Sequence, residues 1–192
     1  MLTDYLFQTA TLYRRSPYIF QAQSFVGTTT VDVSLDSPAR LSCTVEATQP
    51  VTLTVVGSTT ETLNFSSRTH LLGTKMFSTV SSISVVGATA NLVEIRSVDS
   101  AGNQVGLWQR LGNYNVRLTK ATTVGLSDLG AGEVFAERNK LVFIINSGIK
   151  AGDVLVIGED KLKVTSVDHL YTKQSYHHSE CSVEETEEKI PI

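Results

Sequence analysis

Five consecutive residues near the end of the chain, His177-His178-Ser179-Glu180-Cys181, bring together side chains that can ligate a metal, move a proton or attack a carbonyl. Their setting limits that chemistry. The flanking residues alternate apolar and polar, the period of an extended strand, and successive strand side chains point to opposite faces. On that geometry His177 and His178 diverge. His177, Ser179 and Cys181 share a face, which is too few ligands for a zinc site. No metal and no cofactor is expected. Asp153, in Ala151-Gly152-Asp153, reads as a turn residue whose carboxylate caps backbone N–H groups. Serine and threonine are abundant, but none sits in a nucleophile elbow. No glycine-rich phosphate loop precedes a helix. His70 and His169 stand without a carboxylate–nucleophile constellation, so the chain is expected not to be an enzyme.

What remains are residues suited to contact. Trp108, the only tryptophan, reads as a core or interface anchor. Arg14, Arg15 and Arg40 suit either a DNA-facing channel or salt bridges between subunits. Glu184, Glu185, Glu187 and Glu188 form an acidic run, either solvated or docked on a basic patch of a neighbour. Ala121 to Gly132, with Gly125, Gly130 and Gly132, is small and glycine-rich and reads as a mobile loop. Tyr13, Arg14, Arg15, Trp108, Gly125, Gly130, Gly132, Glu184 and Glu185 are the candidate assembly residues.

The elements that must position them are strands. Thr9 to Arg14 alternates; Met1 to Phe7 is a short helical turn or a free arm, and Pro17 ends the pairing. Val31 to Leu35, Leu41 to Val45, Val51 to Val55, Glu61 to Phe65, Phe77 to Val86 and Leu92 to Ile95 follow as short strands. Breaks at Ser37-Pro38, Pro50, Gly57-Ser58 and Gly73 separate several of them, the pattern of a sandwich. Asp99 to Asn103 is a polar turn. Val105 to Leu111 and Tyr114 to Leu118 read as further strands. Leu141 to Ile145, Val154 to Ile157, Leu162 to Val167 and Tyr176 to Glu185 read as a compact barrel, with Glu159-Asp160 as a tight hairpin turn. Closing the barrel removes exposed edges.

The bulk properties narrow the function classes. The 192 residues suit one large or two small domains, and a hydrophobic share of 41% allows a packed core. Only 18% of residues are charged, which suits β-structure with extensive protein contact. A formal net charge of -3 gives no electrostatic case for nucleic acid as the main partner. No apolar run reaches the roughly 18 residues needed to span a membrane, so no membrane partner is expected. The beginning of the chain lacks a basic segment followed by an apolar core, so no secretory signal is read there, and a cytoplasmic site of synthesis is expected. Cys43 and Cys181 then default to buried or half-exposed free thiols.

Thr9-Ala10-Thr11-Leu12-Tyr13-Arg14-Arg15, the stretch Ile149 to Val156 with its Ala-Gly-Asp turn, the hairpin ending Lys163-Val164-Thr165-Ser166-Val167, and the His177-His178 strand with its acidic residues occur in this order. Together they resemble the head-closure, or stopper, proteins of tailed bacteriophages, over about the first twenty and last eighty residues. Where that family has a loop, this chain carries a long insert. The insert resembles a β-sandwich motif of phage virion proteins through Thr60 to Phe65, Gly73 to Val80 and Ser82 to Val85.

The resemblance implies an all-β fold: a small head-closure-like barrel from residues 1–22 and 112–192, with an inserted Ig-like β-sandwich over residues 23–111. It implies a structural virion protein of the head–tail junction, assembled in the host cytoplasm. As a homo-oligomeric ring, six- or twelve-fold in the family, it would meet a portal or adaptor protein on one side. A tail terminator or tail-tube protein would lie on the other, with packaged DNA touched non-specifically in the channel. The arm Met1 to Phe7 and the stretch Gly125 to Gly132 would order on assembly. A collar, tail-tube or capsid-decorating protein is the second reading. An adhesive module that recognises a carbohydrate or host surface is the third.

Overall fold

A computed structural model gives an all-β chain and describes residues 8–66, 69–125, 135–145, 148–172 and 175–190, with no helix among them. The arm Met1 to Phe7, and Gly130 and Gly132 of the glycine-rich stretch, lie outside the described residues. The strands are β1 (Gln8–Ser16), β2 (Phe20–Ala47), β3 (Val51–Gly57), β4 (Thr60–Phe65), β5 (His70–Leu72), β6 (Phe77–Val98), β7 (Leu107–Gly125), β8 (Phe135–Ile144), β9 (Val154–Ile157), β10 (Asp160–Thr172) and β11 (Ser175–Glu185). The chain divides into two compact units, Met1–Arg14 with Leu111–Glu188, and Arg15–Arg110 with Lys189–Ile192.

The first unit is a closed six-stranded barrel. Its strands run β1-β9-β10-β11-β8-β7, and a β1–β7 pairing closes the circuit. Alternation along each strand turns Leu12, Val116, Val142, Ile144, Leu155, Leu162, Val164 and Cys181 into one core. Each such fully buried aliphatic side chain contributes about 1.5–3 kcal/mol. The β9–β10 hairpin turns on Gly158-Glu159, since Ile157 pairs with Asp160, and not on Glu159-Asp160 as the sequence suggests. The reason is Gly158, whose φ of 61° fits the first central position of a two-residue hairpin loop that only glycine adopts at no cost. Two ribbons extend past their barrel neighbours. β9 covers β10 only from Asp160 to Lys163, and β8 covers β11 only from Ser179 to Val183. Leu170 and Tyr171, near the far end of the β10–β11 ribbon, are 40% and 66% exposed. The second ribbon pairs β7 with β8 from Val116↔Ile144 out to Gly125↔Phe135.

That second ribbon corrects the expected loop. The segment from Ala121 to Gly125 is strand, and Gly125 is paired with Phe135 rather than free. β7 is also one strand from Leu107 to Gly125, where the sequence suggests two.

The second unit is sandwich-like, built on two strands that bend from one sheet to the other. One sheet is ordered β5, the second half of β2, the second half of β6, and the start of β2. The other is ordered β4, β3, the first half of β6, the middle of β2, and the start of β7. Strands that switch sheets make the corners of such packings. β2 bends twice, at an irregularity between Phe25 and Gly27, beside Ser24 with φ 53°, and again between Ser34 and Ala39, where it returns to the first sheet. The bend in β6 falls at Gly87, with φ 113°, where a Cβ would stand 2.7 Å from the Pro50 carbonyl oxygen. Leu41, Cys43, Val45, Val93 and Ile95 from one sheet join Val33, Leu53, Val55, Ile83 and Val85 from the other in a single core. Glu61 on β4 is buried, and its Oε1 accepts hydrogen bonds from the Thr74 N–H, the Thr74 hydroxyl and the Lys75 N–H. It thereby anchors the turn after Gly73. The Asp99 carboxylate closes the polar turn by accepting from the Ala101 and Asn103 N–H groups and the Asn103 side chain, which holds its pKa below the usual value.

Both cysteines are free and buried. Burial, reinforced by the charge of Glu61, pushes the Cys43 thiol up to about 12, and burial, with Asp153 and Asp168, pushes Cys181 up to about 12. An unfolded thiol ionises near 9.0. The folded chain therefore keeps protons that the unfolded chain loses, and stability is complete below about pH 9 and falls as pH rises toward 12. The fall approaches about 1.4 kcal/mol per pH unit for each thiol. Urea unfolding across this range checks it: Cys43→Ala and Cys181→Ala each flatten the alkaline slope, and an unchanged slope contradicts the assignment.

Candidate functional site

Three groups of polar side chains stand out, and each is built by strand register. The first surrounds Asp153 in the barrel. Asp153 follows the turn at Gly152 and is 2% exposed. Its Oδ2 accepts the Lys150 N–H at 2.8 Å, the backbone cap expected of a turn aspartate. β1 brings Arg14 to the same carboxylate, with Nε 2.7 Å from Oδ1 and one terminal nitrogen 2.7 Å from Oδ2. That guanidinium also donates to the Gly148 carbonyl at 2.7 Å. The hydrogen bond to Asp153 raises the Arg14 pKa against the opposing effect of burial. A bidentate pair of this kind is directional as well as strong. It ties the chain's first strand to the turn before β9.

The second group is the His177 region. Leu170 pairs with His178 and Tyr171 with Tyr176, so His177 is an extra residue, a β-bulge. The bulge breaks the alternation, and the two histidines do not diverge: their rings lie 4.8 Å apart and their Nδ1 atoms 2.6 Å apart. His178 Nε2 reaches Glu180 at 3.2 Å. His177 does not share the face of Ser179 and Cys181 either, since both of those are fully buried while His177 is exposed. Ser179 instead meets His169 Nδ1 at 2.7 Å and the Tyr176 hydroxyl at 2.9 Å. Among the described residues no three His, Cys, Asp or Glu side chains form a metal-ligating group. Ser179 has no exposed surface.

The third group lies in the second unit around Arg15 and Trp108. The Arg15 guanidinium sits 4.3 Å above the Trp108 ring and pairs with Asp36. Trp108 is 1% exposed, and its indole N–H donates to the Lys189 carbonyl at 3.1 Å. Ile190 is buried beside it in sequence, and Arg15, Leu35, Asp36, Lys189 and Ile190 line one depression.

The candidate assembly residues therefore fall in different environments. Tyr13 and Trp108 are buried within the chain. Arg14 and Arg15 are held in pairs within the chain, and Arg40 donates to the Ser100 carbonyl at 3.4 Å. Glu184 and Glu185 are exposed on β11. Glu187 is exposed as well, while Glu188 meets Lys163 at 3.0 Å and the Thr186 N–H donates to the Lys161 carbonyl. The sequence reading passes over the outer face of β5, β2 and β6, where Ser42, Thr44, His70, Glu94 and Arg96 converge. Alternation along Leu41 to Val45 is the only trace of it in the sequence.

No family model matches this chain, no curated protein matches it, and no solved structure matches it.

Proposed function

We propose that this chain is a structural protein of a tailed-phage neck. It assembles as a homo-oligomeric ring between the portal side of the head and the tail. The observation that supports this reading best is the closed barrel drawn from both ends of the chain, with ribbons that overhang it. A closed barrel has no free edge for uncontrolled pairing, so contact with neighbours falls to the ribbons. Leu170 and Tyr171, exposed on one ribbon, offer apolar side chains for such a contact. The sandwich-like unit, Ig-like in this reading, supplies the collar. The buried Ser179 and the turn-bound Asp153 fit a structural role better than a catalytic one.

Deleting the chain from the virus that encodes it tests the proposal. DNA-filled heads and complete tails that fail to join are the expected result. Normally joined particles that lack only surface decoration would overturn it in favour of a decorating protein.

A further inference from the structure

The outer face of the four-stranded sheet in the second unit carries a continuous polar row. His70 on β5, Ser42 and Thr44 on β2, Glu94 and Arg96 on β6, and Gln21 at the start of β2 lie on neighbouring strands, with Thr44 in register with both His70 and Glu94 and Gln21 in register with Glu94. The opposite face of the same strands, Leu41, Cys43, Val93 and Ile95, is buried, which fixes the outward direction of the row. The side chains hold one another in place. Ser42 Oγ meets His70 Nε2 at 2.9 Å, Gln21 donates to Glu94 at 2.7 Å, and Arg96 lies 3.6 Å from Glu94. Arg96 also donates to the Tyr18 hydroxyl at 2.6 Å and stacks 4.4 Å over its ring. Ser42, Thr44, His70, Glu94 and Arg96 enclose a depression of about 270 Å³. Leu72 is 44% exposed on β5, two residues from His70 and so on the same side, which adds an apolar rim.

We infer that this depression binds a saccharide. The row offers donors from Arg96 and His70 and acceptors from Glu94, Ser42 and Thr44, and the charges of Glu94 and Arg96 offset each other. That mixture suits neither a phosphate nor a cation, and it matches vicinal hydroxyls, each of which donates and accepts. The depression is smaller than the roughly 300–1,000 Å³ of sites that enclose drug-sized ligands. It takes one ring of a surface polysaccharide and leaves the rest in solvent. The proposed role is binding: glycoside hydrolysis takes a pair of carboxylates, and the residues lining this depression supply one, Glu94, which is engaged by Gln21 and Arg96. The inference stands whether or not the chain forms a neck ring.

Titration of the full chain, ¹⁵N-labelled, with glucose, galactose, rhamnose and N-acetylglucosamine to tens of millimolar tests it. At least one sugar is expected to shift the amide resonances of Ser42, Thr44, His70, Glu94 and Arg96 with millimolar affinity. Arg96→Ala then weakens binding about tenfold or more, as loss of a charged hydrogen bond does. Thr44→Val, which removes a hydroxyl and keeps the shape, weakens it without altering the fold. No shift at these residues with any of the four sugars would overturn the inference, as would shifts that persist in both variants.

Discussion

Asp153→Ala is expected to destabilise the barrel by about 3–5 kcal/mol, the range found when one member of a buried ion pair is removed. The size follows from what is left behind. Asp153 is 2% exposed and accepts from Arg14 through both carboxylate oxygens and from the Lys150 N–H. Without it, a half-buried guanidinium loses its counter-charge and a backbone donor loses its cap. The Gly152 N–H to Val164 carbonyl and Val164 N–H to Asp153 carbonyl bonds, both 2.8 Å, join the same turn to β10. Loosening therefore spreads from β1 to β10. Asp153→Asn keeps the size and the cap but gives up the charge, and its loss is expected to be smaller. Urea unfolding of the three proteins measures this. A loss below about 1 kcal/mol for Asp153→Ala would place the pair among exposed ion pairs of little consequence.

Trp108→Ala is the other change of comparable size, expected to cost about 3–5 kcal/mol in the second unit. The ring fills buried space, carries Arg15 on its face and holds the Lys189 carbonyl. Removing it loosens Lys189 and Ile190 as well, since the Lys189 carbonyl loses its donor and buried Ile190 follows in the chain. Trp108→Phe retains most of the volume and loses only the N–H, at about 1 kcal/mol. Hydrogen exchange at Ile190 separates the two effects. It is expected to speed up in both variants, whereas global stability falls steeply only in the alanine variant. Protection at Ile190 equal to that of the parent chain in Trp108→Phe would show that the indole bond does not hold this segment.

The strands were legible wherever one face is buried and the other is wet. Val51 to Val55 and Glu61 to Phe65 fall inside β3 and β4 because alternation and turn residues agree there, whereas Val154 to Ile157, buried at every position, is legible as a short apolar run between turns. The Asp153 cap was legible too, because a turn aspartate bonds backbone only three residues away. Its bond to Arg14 was not, since 139 residues separate the partners and no local pattern encodes the meeting. The same limit hid the two roles of β2, which flanks β6 on both sides. The bulge at His177 escaped for a different reason: one extra residue in a pairing leaves no mark on composition, yet it brings together two histidine rings that regular alternation would separate. Val105 to Leu111 and Tyr114 to Leu118 read as two strands, but β7 runs from Leu107 to Gly125 without interruption, with Gly112 at φ 137°. The row from His70 to Arg96 depends on three strands meeting in register, and single residues such as Ser42 carry no sign of that.

The central claim is the place of this chain in a particle, and electron cryo-microscopy of the virion, focused on the head–tail junction, tests it most directly. The account predicts a ring of this chain at the junction, its barrels packed side by side around a channel. Density for the chain along the tail or across the shell, with none at the neck, would contradict it.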